Sequence, residues 1–238
     1  MTPADNLARK WEGIQILCED RMFAYNLLRT TFIQEPAREF LDLLAGDALI
    51  QVFPFTAENR EIGAGVDQVN KYLERYTSLA ADGRGEELER LRWDYTRMFV
   101  GPYQLPAPPW ESAYLNDERL LLQAETLAVR RVYLSYGFIP RNYHQEADDH
   151  LGLELEFMFR LSEMVAGKMA LRDTAGAAAI LKDQEAFLAD HILKWVPRFA
   201  GDVMHSSATD FYQGMARLLK GFIHLDRQAT AELLQAIA

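Results

Sequence analysis

The residues most able to do chemistry form an acidic turn, Glu146-Ala-Asp-Asp-His150, which leads directly into an apolar stretch. Carboxylates beside a histidine can move a proton, and they can also bind a guanidinium group through paired hydrogen bonds. Asp148 equally suits the N-cap of the helix that follows, and Asp149 suits its positive end. The turn by itself therefore predicts either a binding or catalytic site or a helix cap.

Glu154 lies one helical turn after His150, on a face that is otherwise apolar. The residues that share this face are Leu151, Leu155, Met158 and Leu161. A lone buried charge costs several kcal/mol unless it is paired. We therefore expect Glu154 to pair with His150 or with an arginine from another element.

A second unusual segment is the loop Gly101–Leu115, which contains four prolines. Proline fixes φ and removes a backbone donor, so this loop is stiff without regular hydrogen bonds. Tyr103, Trp110 and Tyr114 project from it. The loop suits the aromatic wall of a binding groove, and it equally suits a rigid connector whose aromatic residues fill the core.

Other signs of catalysis are weak. Asp190 and His191 form a carboxylate–histidine pair one turn before Trp195, where the histidine and tryptophan are expected to stack in a core or groove wall. The sequence has no phosphate-binding loop and no nucleophile elbow. Cys18 is the only cysteine, so no internal disulfide or cysteine-based zinc site is expected. These features favour a protein that is not an enzyme and that needs no metal or cofactor.

The overall charge limits the partners. The 238 residues include 25 basic and 35 acidic side chains, for a formal net charge of -10. This balance argues against nucleic acid and favours cationic partners. No apolar run reaches the roughly 18 residues of a membrane span, and the N-terminus lacks a secretory signal. We therefore expect no stable membrane insertion and a cytoplasmic location.

Helical periodicity runs through the whole chain and predicts an all-α fold. We expect one domain over residues 1–238, with a weak subdivision near 83–115. Gly83, Gly85, Gly101 and Pro197 are expected to end helices. The predicted helices cover about residues 6–30, 36–46, 66–80, 86–100, 117–136, 149–168, 172–196 and 207–237.

Four segments in this order resemble the TorD/DmsD/NarJ-type redox-enzyme maturation chaperones, most closely the TorD branch. They are Tyr95–Pro102, Ala107–Leu115, Asp148–Met158 and His191–Phe199. The resemblance implies a single-domain helical bundle of the TorD-like type. It also implies a cytoplasmic chaperone that binds the twin-arginine signal peptide, the apo catalytic subunit of a molybdopterin oxidoreductase, or both. Such a chaperone assists cofactor insertion before export.

The resemblance also implies where the peptide binds. The carboxylates of the acidic turn are expected to bind the leader arginines, and the aromatic side chains of the proline loop are expected to contact its apolar stretch. Ala147 stands where the family often has proline, which loosens the turn. The candidate peptide-binding residues are Tyr103, Pro108, Pro109, Trp110, Tyr114, Glu146, Asp148, Asp149, His150 and Glu154.

Two other functions stay open at this point. One is a small helical metal-dependent hydrolase that uses His150 with Asp149 or Glu154. The other is a general helical adaptor without specificity for signal peptides. The sequence is compatible with a monomer and with a domain-swapped dimer.

Overall fold

The computed structural model describes residues 3–102, 104–116, 118–140 and 146–237, which fold into a bundle of helices. The helices are α1 (Pro3–Ile33), α2 (Arg38–Gly46), α3 (Arg60–Ser78), α4 (Ala81–Tyr95), α5 (Ser112–Leu115), α6 (Ala124–Ser135), α7 (Leu151–Ala170), α8 (Thr174–Phe187), α9 (Leu193–Ser206) and α10 (Asp210–Ile237). The predicted all-α fold is confirmed. Within the described ranges, no helix is long and apolar enough to cross a membrane.

Helices α3 and α10 pack closely along each other. Asn59 caps the start of α3, because its side-chain oxygen accepts the N–H groups of Glu61 and Ile62. Farther along, Gly65 of α3 faces Gly214 of α10. A Cβ atom at Gly65 would lie 2.9 Å from the Gly214 carbonyl oxygen, so only glycine permits this backbone approach.

A buried polar network connects α1 to α10. Arg21 donates from Nε to Asp226 Oδ1 at 2.6 Å and from Nη2 to Thr230 Oγ1 at 2.9 Å. The Tyr25 hydroxyl donates to Asp226 Oδ2 at 2.6 Å. Each of the four residues is fully buried. The network therefore sets how α1 sits along α10, since any shift would leave buried polar atoms unpaired.

The expected helix break at Gly83 and Gly85 was wrong. Helix α4 runs through both glycines, and the turn that separates it from α3 lies earlier, at residues 79–80. A glycine in a helix interior costs about 1 kcal/mol relative to alanine. Burial of Leu88 and Leu91 on the inner face outweighs this cost. A π-type turn extends the helix to Val100, as predicted.

The expected stop at Pro197 was also wrong. A π-type turn, Leu188–Ile192, follows α8, and α9 then continues through Pro197 to Ser206. Pro197 lies inside the helix, where a proline lacks the backbone N–H of a helical hydrogen bond and costs about 3 kcal/mol. The inner face of α9 buries Trp195 and Phe199, which stabilises the helix despite the proline.

Helix α6 begins later than predicted. The sequence favours a helix from about residue 117, but α6 begins at Ala124. Arg119 and Leu122 have φ values of 52° and 58°, which a right-handed helix excludes. Gly137 follows the C-cap of α6 and has a φ value of 61°, as expected for a helix-terminating glycine.

Candidate functional site

The proline–tryptophan loop (residues 108–112) and the acidic turn (residues 146–151) lie side by side. Trp110 and His150 form an isolated antiparallel bridge. Two backbone hydrogen bonds of 2.8 and 3.0 Å flank this bridge. The Trp110 and His150 rings also meet edge to face, with centroids 5.6 Å apart. We call this pair of segments the loop–turn junction.

Asp149 connects the acidic turn to the proline–tryptophan loop and to α6. Its Oδ2 atom accepts the backbone N–H of Ser112, the first residue of α5, at 2.9 Å. Its Oδ1 atom accepts the hydroxyl of Thr126 on α6, also at 2.9 Å. Asp149 is fully buried, so both carboxylate oxygens face protein rather than solvent.

Asp148 connects the junction to the same helix. Its Oδ2 atom accepts a hydrogen bond from Arg130 Nε at 2.5 Å, and its backbone carbonyl accepts the Tyr133 hydroxyl at 3.0 Å. Asp148 is only 2% exposed. Neither aspartate of the acidic turn therefore presents an unoccupied carboxylate to solvent.

His150, and not Asp148, caps α7. The His150 Nδ1 atom accepts the backbone N–H of Gly152 at 3.0 Å, which corrects the predicted Asp148 cap. Burial lowers the pKa of His150 to about 4, although the neighbouring Asp149 charge opposes this shift. The neutral imidazole is the form that can accept the cap hydrogen bond.

Replacing His150 by asparagine is expected to remove part of the acid sensitivity of the fold. The folded-state pKa of about 4 lies below the ordinary histidine pKa of 6.5. As the pH falls, the unfolded chain therefore binds the proton before the folded chain does. The contribution of the neutral His150 ring to the free energy of unfolding is complete above pH 6.5 and is lost as the pH falls toward 4. Asparagine keeps a cap acceptor but does not titrate. Between pH 7 and pH 4.5, the wild type should lose about 2–3 kcal/mol more unfolding free energy than the variant.

Urea unfolding monitored by circular dichroism at both pH values measures this difference. His224 lies exposed on α10, and His224→Asn is the matched control. This control keeps His150 and should therefore keep the acid-dependent loss. Equal losses in the wild type and in His150→Asn would contradict the role of the buried imidazole.

Glu154 does not pair with His150 or with an arginine, so that expectation was wrong. Its Oε2 atom accepts the indole N–H of Trp195 at 3.2 Å. Its Oε1 atom is buried without a hydrogen-bond partner among the described residues. Burial raises the pKa of Glu154 well above its usual range, and the negative charges of Glu111 and Asp149 add to the effect. The site thus favours the protonated carboxyl group.

Glu111 is a site residue that the sequence reasoning missed. It is 1% exposed, and its Oε2 atom lies 2.9 Å from Nδ1 of His191. The His191 ring lies against Phe187, with centroids 4.8 Å apart, rather than against Trp195 as expected. Glu111 follows Trp110 directly in the chain, but nothing in its spacing indicates a partner on another helix.

Trp110 and Glu146 form the partly exposed edge of the junction. The Trp110 indole donates to Glu146 Oε1 at 2.7 Å, and the Ala147 N–H donates to the same oxygen at 3.0 Å. Nearby, burial raises the pKa of Tyr95, with further contributions from the charges of Glu146 and Glu35. Both glutamates therefore lie within electrostatic range of the Tyr95 hydroxyl. We call Glu35, Trp110 and Glu146 the acidic edge.

The other predicted contacts are more deeply placed. Pro108, Pro109 and Tyr114 are buried. The Tyr114 hydroxyl donates to Asp202 at 3.0 Å, and its ring lies 5.5 Å from that of Trp195. Tyr103 lies outside the described residues.

The side chains that the hydrolase alternative needs to act together are already bonded elsewhere. Asp149, His150 and Glu154 each bond to a different partner, as described above. Across the described part of the chain, no group of three or more His, Cys, Asp or Glu side chains could hold a metal ion.

Comparison with known proteins identifies the family. The family model of the nitrate reductase delta subunit matches residues 59–201, which include the whole loop–turn junction. The chain belongs to this family. Chaperone protein TorD from Vibrio cholerae is 25% identical over 224 residues, covering 94% of this chain and 98% of the relative. Tat proofreading chaperone DmsD from Salmonella typhi is 30% identical over 147 residues, or 62% of this chain and 65% of the relative.

A crystal structure of a protein from Archaeoglobus fulgidus is 20% identical and covers 84% of this chain and 93% of its own, with a TM-score of 0.47. The family match confirms the resemblance to redox-enzyme maturation chaperones of the TorD and DmsD type. Both of these relatives, TorD and DmsD, are named as chaperones.

Proposed function

We propose that this chain binds the twin-arginine signal peptide of a molybdenum-cofactor oxidoreductase. In this proposal it retains the apo catalytic subunit in the cytoplasm until the cofactor is inserted, and only then permits export. The observation that carries the proposal is the loop–turn junction. There the two segments that resemble the family's peptide-binding segments meet at one surface, with the Trp110 indole against the Glu146 carboxylate.

The burial of the junction residues suggests a division of roles. Asp148 and Asp149 already have internal partners, so a direct contact with the leader would first break those bonds. We assign them the task of holding the loop. The acidic edge is better suited to the leader, because Glu146 is partly exposed and Glu35 is exposed. Carboxylates of this kind bind guanidinium groups bidentately.

The proposal also assigns roles to the remaining peptide-binding residues predicted from the sequence. Tyr103 and Trp110 are assigned to the apolar stretch of the leader, as the sequence suggests. Residues that shape the surface from beneath are Pro108, Pro109, Tyr114, His150 and Glu154. The formal charge of -10 supports the proposal, because an acidic surface attracts a basic peptide from a distance.

Calorimetry with a synthetic twin-arginine leader peptide of a molybdopterin oxidoreductase from the same organism tests the proposal. Replacing both leader arginines by alanine is expected to weaken binding at least about thirtyfold, because hydrogen bonds to charged groups contribute roughly 1.5–3 kcal/mol each. Raising the salt concentration from 50 to 300 mM should also weaken binding, since the ions screen the attraction.

The control is a leader in which two uncharged polar residues outside the arginine pair are replaced by alanine, which should bind as the original does. Binding that survives loss of both arginines would favour the general adaptor instead. A stoichiometric metal ion in the purified protein, detected by elemental analysis, would favour the hydrolase.

A further inference from the structure

A pair of buried carboxyl groups lies beneath the loop–turn junction. Glu154, on the first turn of α7, is fully buried, and Glu111, just before α5, is 1% exposed. The two side chains are close enough to form a hydrogen bond with each other. Two ionised carboxylates in one buried space repel each other, and neither of them can donate a hydrogen bond. The pair therefore needs a proton.

The contacts of Glu154 show which of its oxygen atoms carries the proton. Oε2 accepts the indole N–H of Trp195 at 3.2 Å, so this oxygen acts as an acceptor. Oε1 is buried, and no donor reaches it from the described parts of the chain. A buried carboxyl oxygen in this position is satisfied when it carries the hydrogen and donates it. The acceptor within its reach is the Glu111 carboxylate.

The groups around the pair favour Glu111 as its charged member. The His191 Nδ1 atom lies 2.9 Å from Glu111 Oε2, and this nitrogen can donate from the neutral ring and from the charged ring alike. The other titratable groups that face Glu154 are the Asp149 carboxylate of the acidic turn and the Tyr133 hydroxyl of α6. Among the described residues, no lysine or arginine bonds to either member of the pair. Nothing on the Glu154 side therefore stabilises a second negative charge.

We propose that Glu154 and Glu111 share one proton and that the resulting hydrogen bond positions Trp110. Glu111 follows Trp110 directly in the chain, and its backbone N–H donates to the Asp149 carbonyl at 3.0 Å. A bond from the Glu154 side chain to Glu111 therefore fastens α7 to the loop at the residue next to the tryptophan. The shared proton does not depend on the leader, whereas the role of Trp110 in binding the leader rests on the proposed function.

The shared proton makes the fold less stable as the pH rises. Burial and the neighbouring carboxylates raise the pKa of Glu154 well above its usual range. Between the unfolded and the folded pKa, the folded chain keeps a proton that the unfolded chain has lost, so the free energy of unfolding falls with rising pH. The contribution of His150 is complete above pH 6.5. A measurement above this pH therefore isolates the effect of the pair from that of His150.

The variant Glu154→Gln tests the shared proton. Glutamine can keep both hydrogen bonds, because its amide donates to Glu111 and its oxygen accepts the Trp195 indole N–H, but it does not titrate. Between pH 6.5 and 7.5, the Tm of the wild type should fall by about 3–5 °C relative to that of the variant in thermal unfolding followed by circular dichroism. Glu163→Gln, on the exposed face of α7, is the matched control and should keep the wild-type profile. Parallel profiles for the wild type and Glu154→Gln would overturn the shared proton.

The variant Glu111→Gln tests whether Glu111 is the partner. It removes the charge that opposes ionisation of Glu154 and supplies an amide that can donate to the ionised form. The pH-dependent fall in Tm should therefore shrink at least about twofold. A fall as large as that of the wild type would mean that burial alone holds the proton, and it would overturn the pairing.

Leader binding tests the positioning of Trp110. The apparent affinity is reduced by the fraction of molecules in which the pair has lost its bond. Calorimetry with the leader peptide should show that the wild type binds at least about threefold more weakly at pH 9 than at pH 7, and that Glu154→Gln loses this dependence. Equal pH profiles in the two proteins would overturn the positioning role and leave the proposed function intact. A wild type that binds no leader at either pH would overturn the proposed function, while the Tm profiles still decide the shared proton.

Discussion

Replacing Asp226 by alanine is expected to lower the free energy of unfolding by about 3–5 kcal/mol. The substitution leaves the Arg21 guanidinium fully buried, with Thr230 as its remaining side-chain partner. An uncompensated charge in the interior is far more costly than the loss of an average hydrogen bond. Urea unfolding at neutral pH measures the effect.

The pair variant Arg21→Met/Asp226→Leu separates charge from packing. It removes both charges and fills the space with apolar side chains, so it should recover most of the lost stability. Asp67 lies exposed on α3, and Asp67→Ala should change stability by less than about 0.5 kcal/mol. A loss of under 1 kcal/mol for Asp226→Ala would show that solvent reaches the network.

The helices that the sequence predicted well are those with a strong local pattern. Helix α7 was expected over about residues 149–168 and covers Leu151–Ala170. Its apolar periodicity is a local property of the chain and therefore readable without the fold. The errors at Gly83 and Pro197 have the opposite origin. Each residue disfavours a helix locally, but burial against distant elements outweighs that preference.

In the candidate site, too, the local features were predicted from the sequence and the long-range contacts were not. The sequence motifs marked the segments around Trp110 and His150, and the structure joins them. The roles of single side chains were not readable, because their partners lie far away in the chain. Glu154 bonds to Trp195, and Asp149 bonds to Thr126 on another helix. Spacing along one helix cannot identify such partners, since only the packing of the helices brings them together.

Replacing Asp149 by alanine is expected to cost about 3–5 kcal/mol of unfolding free energy, for a reason that differs from the Asp226 case. The substitution removes one acceptor from two buried donors, the Ser112 N–H and the Thr126 hydroxyl. Each buried donor without a partner costs about 1–3 kcal/mol. The loop–turn junction also loses order, which raises the expected cost in unfolding free energy further.

The conservative variant Asp149→Asn shows whether the charge or the acceptor matters. Asparagine can still accept one of the two hydrogen bonds, and it removes a negative charge that raises the pKa of Glu154. Its cost should therefore be smaller, about 1–2 kcal/mol. If Asp149 acts by holding the loop, this folded variant should also keep the salt dependence of leader binding. An abolished salt dependence with unchanged stability would instead mean that the Asp149 carboxylate itself contacts the leader.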